Sequence, residues 1–200
     1  MTHRTRQELE AGLDRIRASP VAEGTVELIV RRPRVGARET LEEGLLDIEH
    51  GLVGDSWHLR GSSRTADGSA LPDMQLNIMN ARAIELIAQD RTRWPLAGDQ
   101  LYVDMDLSAD NLPPGTRLAI GAAIVEITAI PHTGCRKFVE RFGADAAKFV
   151  NSPIGRALHL RGVNAKVIQR GLVRRGDTVR KVSASGETSH VSKYQDAREL

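Results

Sequence analysis

The stretch TRLAIGAAIVEITAIPHTGCRKF, residues 116–138, indicates the fold of this chain and holds its only cysteine. Its first part, TRLAIG followed by AIVEITAI, consists of short apolar runs joined at glycine, as expected for consecutive strands. Similar runs with Gly-Asp turns are GDQLYVDMDLS (98–108), GVNAKVIQRG (162–171) and DTVRKVS (177–183). This texture predicts a β-rich α+β fold, a closed or partly closed β-barrel or a sandwich, with a few peripheral helices.

The N-terminal half adds two strands and two helices to this expectation. TVELIVRRP (25–33) alternates apolar and polar residues as a strand does, and MQLNIMN (74–80) is a second candidate. An exposed amphipathic helix is predicted at 3–18, since Pro20 follows its expected end. Another helix is predicted at 81–90, directly after Asn80, a residue type that favours the N-cap position.

The composition is that of an ordinary globular chain of 200 residues, with 40% hydrophobic and 27% charged residues. We expect a helical extension at 1–24, a barrel domain at 25–183 and a polar tail at 184–200. A net charge of +2 and 4% aromatic residues argue against nucleic-acid binding, and the basic run RRPRVGAR (31–38) is interpreted as solvated surface.

The chain lacks an apolar run of membrane-helix length and a secretory signal, which predicts a cytoplasmic protein without membrane contact. The oligomeric state is left open.

Cys135 is the first candidate for chemistry. A single cysteine excludes an internal disulfide and any multi-cysteine metal site within the chain. A thiol reacts or binds metal as thiolate, and cations lower its pKa; His132, Arg136 and Lys137 are neighbours that could supply that charge. The N-terminus of a helix predicted at 143–152 would add positive potential. The alternative is a buried, inert thiol, which the polar surroundings do not favour.

The loop predicted between the early strands, at 45–73, is a second candidate site. It contains one strand near its start, and loops of this length are usually functional or disordered. Asp55, His50 and His58 could form an open metal site, or Arg60 and the nearby glycines could bind phosphate. The simpler interpretation is a hydrogen-bonded loop in which Asp55 caps a turn.

Polar residues within apolar strands form a third group. Asn77, Arg161 and Asn164 need hydrogen-bond partners if they are buried. They either satisfy backbone groups in the core or face a pocket. Asn111, directly before two prolines in SADNLPPG, is most simply a turn residue.

Taken together, these motifs resemble the MOSC domain, which is found at the C-terminus of molybdenum cofactor sulfurases and in small stand-alone bacterial proteins. The matching order runs from about residue 25 to 182: GLVGDSWH, QLNIMNARAIELIA, DLSADNL, GTRLAIGAAIVEITAIPHTGCRKF and RGVNAKVIQRGLVRRGDTV. Three departures stand out: SADNL, with Ser108 and Asp110, replaces a usual Gly-Glu-Asn-Leu, HLRGSSR replaces a Gly-rich stretch, and GC replaces PC at the cysteine.

The resemblance implies a β-barrel whose pocket holds a working cysteine, here Cys135, which carries sulfur as a persulfide or ligates the molybdenum of a pterin cofactor (molybdopterin). It implies a possible reduction of N-hydroxylated compounds, with His132 beside Cys135 as a second catalytic residue. A separate redox partner would supply electrons. The implied cofactor-binding residues are Asp55, His58, Arg60, Asn77, Asn111, Arg136, Lys137, Arg161 and Asn164.

Two other functions remain open at this point. Cys135 could hold a persulfide for delivery without any redox reaction, with a sulfur-donor protein as partner. Alternatively, the barrel could be a ligand-binding module that catalyses nothing. The metal content of the purified protein would separate the first interpretation from both alternatives.

Overall fold

The structure of the protein, a computed structural model, describes residues 2–182, so the predicted tail at 184–200 lies outside the described residues. The strands are β1 (Glu23–Arg31), β2 (Glu39–Leu41), β3 (Glu43–Asp47), β4 (Gly51–Leu52), β5 (Leu76–Asn80), β6 (Leu101–Asp104), β7 (Arg117–Ile120), β8 (Ala123–Ile127), β9 (Val163–Gln169), β10 (Gly171–Arg174) and β11 (Thr178–Val182). The α-helices are α1 (Arg6–Ala11), α2 (Leu13–Arg17), α3 (Ala81–Ala88), α4 (Arg136–Phe142), α5 (Ala144–Asn151) and α6 (Pro153–Ala157). Within this part of the chain, no helix has the length and apolar composition that crossing a membrane requires.

Seven strands close into a barrel, which confirms the predicted β-barrel and the α+β class. Around the barrel the order is β1, β11, β7, β8, β9, β5, β6 and back to β1, and β2 extends from β1. Neighbouring barrel strands are antiparallel except β5 and β6, which α3 connects as a parallel crossover. β10, β3 and β4 form a separate three-stranded sheet.

β1 organises the barrel because it pairs with three different strands. Its first residues pair with β11, where Glu23 lies opposite Arg180, its middle pairs with β6, and its end pairs with β2, where Ile29 lies opposite Leu41. The strand is therefore held along its whole length. The residue that follows it, Arg32, is consequently fixed at the end of the barrel.

Two hydrophobic cores lie on either side of the barrel wall. Strand alternation sends one set of side chains inward: in β8, for example, Ala123, Val125 and Ile127 are buried in the barrel interior. The second core lies between the outer wall and the helices, and includes Phe138 of α4 and Phe149 of α5. Cys135 directly precedes α4, whose Phe138 packs into this second core.

Three local expectations needed correction. The helix predicted at 3–18 is two helices that meet at Gly12, where a Cβ atom would lie 2.5 Å from Leu86, and it is not simply exposed, because Leu9 and Ile16 are buried. The loop predicted at 45–73 includes the end of β3 and all of β4, which pair as a hairpin.

The helices near the cysteine also differ from the expectation. α5 confirms the helix predicted at 143–152, but α4 begins directly after Cys135 and no helix was predicted there. Asn80 caps α3 as expected, since its side-chain oxygen accepts a hydrogen bond from the Ala83 amide at 2.9 Å.

Candidate functional site

The polar end of the barrel, where β1 finishes and β5 and β6 begin, carries a buried ion pair. Arg32 donates from Nε to Asp55 Oδ2 at 2.8 Å and from Nη2 to Asp55 Oδ1 at 2.9 Å. The Arg32 amide also donates to Oδ2, and the Trp57 amide donates to Oδ1. Because both Asp55 oxygens accept hydrogen bonds from Arg32, Asp55 holds the loop that contains it against the end of β1. The expectation that residues 31–38 are solvated surface is wrong for Arg32, which is buried.

A chain of amide hydrogen bonds extends from this pair across the barrel end. Arg32 Nη1 donates to Gly98 O at 2.7 Å and to Asn77 Oδ1 at 3.3 Å. Asn77 lies opposite Asn164 in the pairing of β5 and β9, and donates to its side-chain oxygen at 2.6 Å. Asn164 then donates to Ile130 O at 2.9 Å. The two asparagines thus link Arg32 to the segment that leads to Cys135.

A second buried ion pair, between Arg161 and Asp99, lies at the same barrel end. Arg161 Nη1 donates to both Asp99 oxygens, at 2.7 and 2.9 Å, and Nη2 donates to Ala97 O at 2.9 Å. The guanidinium carbon lies 5.0 Å from the centre of the Phe138 ring, a cation–π contact. The Nε atom of Arg161 is buried without a hydrogen-bond partner. The Nε–H group of Arg161 could therefore still donate a hydrogen bond.

His132 lies against the second pair and is also incompletely satisfied. Its Nδ1 is 3.5 Å from Asp99 Oδ1 and makes no hydrogen bond. Burial, reinforced by the charges of Arg161 and Arg32, lowers the pKa of His132 well below its ordinary value of 6.5. Burial also raises the pKa of Asp99, and the bonded Arg161 opposes that rise. His132 is therefore a neutral imidazole with a free ring nitrogen at neutral pH.

Cys135 is exposed and occupies the N-cap position of α4, although its side chain makes no capping hydrogen bond. The preceding residue is held tightly, because Asn151 Oδ1 accepts from the Gly134 amide at 2.9 Å and Asn151 Nδ2 donates to Gly134 O at 3.1 Å. Arg136 and Lys137 are exposed, and Arg136 pairs with Glu140 along the helix. The thiol is thus accessible on a fixed backbone.

Three further arginines gather beside the first ion pair, and we call Arg38, Arg60 and Arg141 the arginine cluster. A Cβ atom at Gly98 would lie 3.6 Å from Arg38 Nη2 and 4.0 Å from Arg141 Nη1, so both groups face this glycine. Burial, and then the neighbouring guanidinium groups, lower the pKa of Arg38; burial and Arg32 do the same for Arg60. Within residues 2–182, no carboxylate lies at ion-pair distance from Arg38 or Arg141, which donate to carbonyls instead. Arg38 and Arg141 therefore carry positive charge that no described carboxylate neutralises, whereas Arg60 lies 3.9 Å from Asp55.

A cavity of about 500 Å³ opens on the other side of His132. It lies between the barrel wall at β8 and β9 and the helices α5 and α6, and most of its lining is apolar. Its polar lining residues are Thr128, His132, Thr133, Arg156, His159 and Asn164. His132 and Asn164 therefore belong both to the polar end of the barrel and to the cavity wall.

The remaining predicted residues lie apart from this arrangement. His58 is exposed and stacks edge-on against His50, with ring centres 5.6 Å apart. Among residues 2–182, no group of three histidine, cysteine or acidic side chains could hold a metal ion. Asn111 donates to Val21 O and Asp106 O and accepts from Lys181, far from the contacts described above. Arg60 does contact the site: its Nη2 donates a hydrogen bond to Ser56 Oγ and lies 3.9 Å from Asp55 Oδ1.

Sequence reasoning missed Arg32, Arg38, Asp99 and Arg141. Arg32 and Arg38 were within a basic run that is usually solvent-exposed, and Asp99 was part of a Gly-Asp turn. A signal existed for Arg32 and Asp99, because each is a charged residue directly beside an apolar strand, as Arg161 is. Nothing local distinguished Arg38 and Arg141 from ordinary surface arginines.

Comparisons with known proteins agree with this fold. A model of the MOSC domain matches residues 65–180, more than half of the chain. The crystal structure of the YUAD protein from Bacillus subtilis is similar, with a TM-score of 0.54 and 16% identity over 78% of this chain and 94% of that one. YiiM from Escherichia coli gives a TM-score of 0.51 and 20% identity over 80% and 70% of the two chains. No curated protein sequence matches the chain.

Proposed function

Because the chain belongs to the MOSC domain family, as the match over residues 65–180 shows, we propose that it binds a molybdenum pterin cofactor and uses Cys135 as a ligand to the metal. The observation that carries the proposal is a single exposed thiol on the same short helix as a member of the arginine cluster. Cys135 precedes α4 and Arg141 lies in its last turn, so they are separated by about 9 Å along the helix axis.

The residues present suit the two ends of such a cofactor. A thiolate is a soft ligand that suits molybdenum, and the exposed Cys135 side chain has no competing hydrogen bond at its cap position. Guanidinium groups bind phosphate oxygens through charge-assisted hydrogen bonds. The arginine cluster, which lacks carboxylate partners at Arg38 and Arg141, would bind the phosphate of the pterin.

His132 would hold or move a proton near the metal ligand. As a neutral imidazole it has one ring nitrogen that donates and one that accepts, so it would pass a proton on, while burial and the charges of Arg161 and Arg32 oppose its remaining protonated. Arg161 keeps Asp99 in place through bonds to both carboxylate oxygens. Asn77 and Asn164 would position the Ile130–Gly134 segment rather than touch the cofactor.

The reaction we propose is the reduction of N-hydroxylated compounds. The N–O bond is cleaved with two electrons and two protons, giving the amine and water. When bound, molybdenum would supply the two-electron redox chemistry, and an external electron-donor protein would be the source of the electrons. A reducing compartment such as the cytoplasm would keep Cys135 as a free thiol.

A second candidate function, a persulfide carrier, is favoured by the exposure of Cys135. An exposed thiol on a rigid backbone is accessible to a sulfur-donor protein and to an acceptor. In this function the Cys135 thiolate would attack the outer sulfur of a persulfide on the donor protein, releasing the donor thiolate, and an acceptor thiolate would take that sulfur from Cys135 in the same way, without molybdenum. The cavity alone would serve a non-catalytic ligand-binding module.

The metal content of protein purified from a molybdenum-replete host tests the proposal. We expect near-stoichiometric molybdenum and pterin in the wild type, loss of molybdenum in Cys135→Ser, and reduced pterin content in Arg38→Gln combined with Arg141→Gln. Arg180→Gln, on an exposed side chain of β11, is the matched control and should keep both. A persulfide on Cys135 by mass spectrometry, without molybdenum, would support the carrier instead. Full molybdenum content in Cys135→Ser would contradict the proposed ligand.

A further inference from the structure

The cavity beside His132 has the size and lining of a small-molecule site. Its volume of about 500 Å³ lies within the usual range for ligand pockets, which are mostly apolar with a few placed polar groups. Apolar side chains from four separate parts of the chain form its walls, among them Leu112, Ile127, Val150 and Val163. The cavity is thus built by the tertiary fold rather than by one loose loop.

The charge of the cavity lining has one sign. Among the described residues that line the cavity, only Arg156, on α6, has a permanent charge, and none is acidic. The Arg156 side chain makes no hydrogen bond or ion pair within residues 2–182, although most arginines of the chain have such partners. Arg156 is exposed at the rim of the apolar cavity, so its guanidinium can pair with a ligand that brings a negative charge.

His159 is a second polar group that the fold places at the cavity at a conformational cost. Its φ of 46° lies in the left-handed region, which is uncommon for residues other than glycine. Its Nδ1 is 2.7 Å from the Leu107 carbonyl, which can only accept, so Nδ1 carries the proton and donates. That hydrogen bond fixes the ring and leaves Nε2 free at the cavity wall.

The cavity is distinct from the arginine cluster. None of Arg38, Arg60 and Arg141 lines it, and Arg156 contacts neither of the buried ion pairs. The cavity-lining residues His132 and Asn164 contact the buried polar network, at Asp99 and Asn77, and make no hydrogen bond to the arginine cluster within residues 2–182. A ligand could therefore occupy the cavity whether or not a cofactor is bound at the cluster.

We propose that the cavity binds a small amphipathic carboxylate, a molecule with an aliphatic or aromatic body and one carboxylate. The body would fill the apolar space between β8, β9 and α5, where it replaces water. The carboxylate would pair with the Arg156 guanidinium. This inference does not depend on the proposed molybdenum function, since none of its residues is a proposed metal or phosphate ligand.

Octanoate is a suitable probe, with octanol and octylamine as neutral and cationic analogues of the same body. Isothermal titration of the full-length protein, purified without added molybdenum, should give binding in the order octanoate, octanol, octylamine. We expect Arg156→Gln to weaken octanoate at least tenfold and to leave octanol within twofold. Arg180→Gln, which removes an exposed arginine elsewhere on the barrel, is the matched control and should change neither.

A second variant blocks the cavity without changing the charge of its lining. Ala109 lines the cavity at an exposed position, so Ala109→Phe can fill the opening while the two cores remain packed. It should abolish octanoate and octanol binding together, with an unchanged melting temperature as the check on folding. Absence of octanoate binding in the wild type, equal affinity in Arg156→Gln and Arg180→Gln, or full binding in Ala109→Phe would each overturn the proposal. Cys135→Ser should bind octanoate normally, which separates this proposal from the molybdenum site.

Discussion

Two arginine–aspartate pairs close the same barrel end, and they differ in how completely they are satisfied. Arg32 bonds Asp55 through two guanidinium nitrogens and also bonds Asn77 and Gly98. Arg161 reaches Asp99 through one nitrogen only, and its Nε has no partner. A saturated buried pair fixes the fold, whereas an unsaturated pair keeps capacity for a ligand or a proton. This difference is what we expect if the first pair is structural and the second serves the proposed chemistry.

The largest expected effect is the loss of the saturated pair. Arg32→Met leaves Asp55 buried without its guanidinium partner, and we expect the free energy of unfolding to fall by about 3–5 kcal/mol. Urea denaturation followed by circular dichroism measures this change. The control Glu42→Gln, at an exposed surface pair, should shift it by less than about 0.5 kcal/mol. A loss for Arg32→Met as small as that of the control would contradict the structural role.

The corresponding change in the unsaturated pair should cost less. Arg161→Met removes an arginine that already has one unpaired N–H, and burial raises the pKa of Asp99, which eases its protonation when the arginine is gone. We expect a loss of about 1–3 kcal/mol under the same conditions. The comparison between the pairs fails if Arg161→Met is the more destabilising substitution.

Acid sensitivity should distinguish His132 from an exposed histidine. Because the pKa of His132 is lowered in the folded state, the unfolded chain binds a proton first as the pH falls below about 6.5. Folding stability attributable to His132 is thus intact above that pH and declines by at most about 1.4 kcal/mol for each pH unit below it. His132→Gln should lose this dependence between pH 7.5 and 5, measured by urea denaturation at each pH. His58→Gln, at an exposed ring, should retain it, and equal pH profiles for the two variants would refute the assignment.

The smallest expected effect on stability is at Cys135. Its side chain is exposed and makes no capping hydrogen bond, so Cys135→Ser should change the free energy of unfolding by less than about 0.5 kcal/mol. Thermal denaturation of the metal-free proteins measures this directly. A loss above 2 kcal/mol would be on the order of deleting a buried group. It would mean that the Cys135 side chain is packed in the protein interior and is not accessible.

The barrel could be predicted from the sequence because its strands are short apolar runs bounded by turn residues, a pattern that is visible locally. The sequence also identified Asn77, Arg161 and Asn164, since a polar residue within an apolar strand is conspicuous. It did not predict the pairing of Arg32 with Asp55 or of Arg161 with Asp99, because partners 23 and 62 residues apart leave no local trace. The cavity was equally inaccessible to sequence reasoning, since β8, α5 and α6 build it jointly. His132 was predicted from its nearness to Cys135, but its free nitrogen and neutral state follow from tertiary burial.

The pairing of β1 with β11 has a consequence for how the protein is made. Glu23 and Arg180 lie opposite each other. The barrel strand that leaves the ribosome first, β1, therefore pairs with the barrel strand that leaves it last, β11. Closure of the barrel therefore waits until nearly all of the described chain has been synthesised, and such long-range pairing is slow to form. During that interval the edge of β1 that faces β11 is unpaired, and exposed strand edges are sites of aggregation. We therefore expect nascent chains of this protein to be prone to aggregation until β11 has been synthesised.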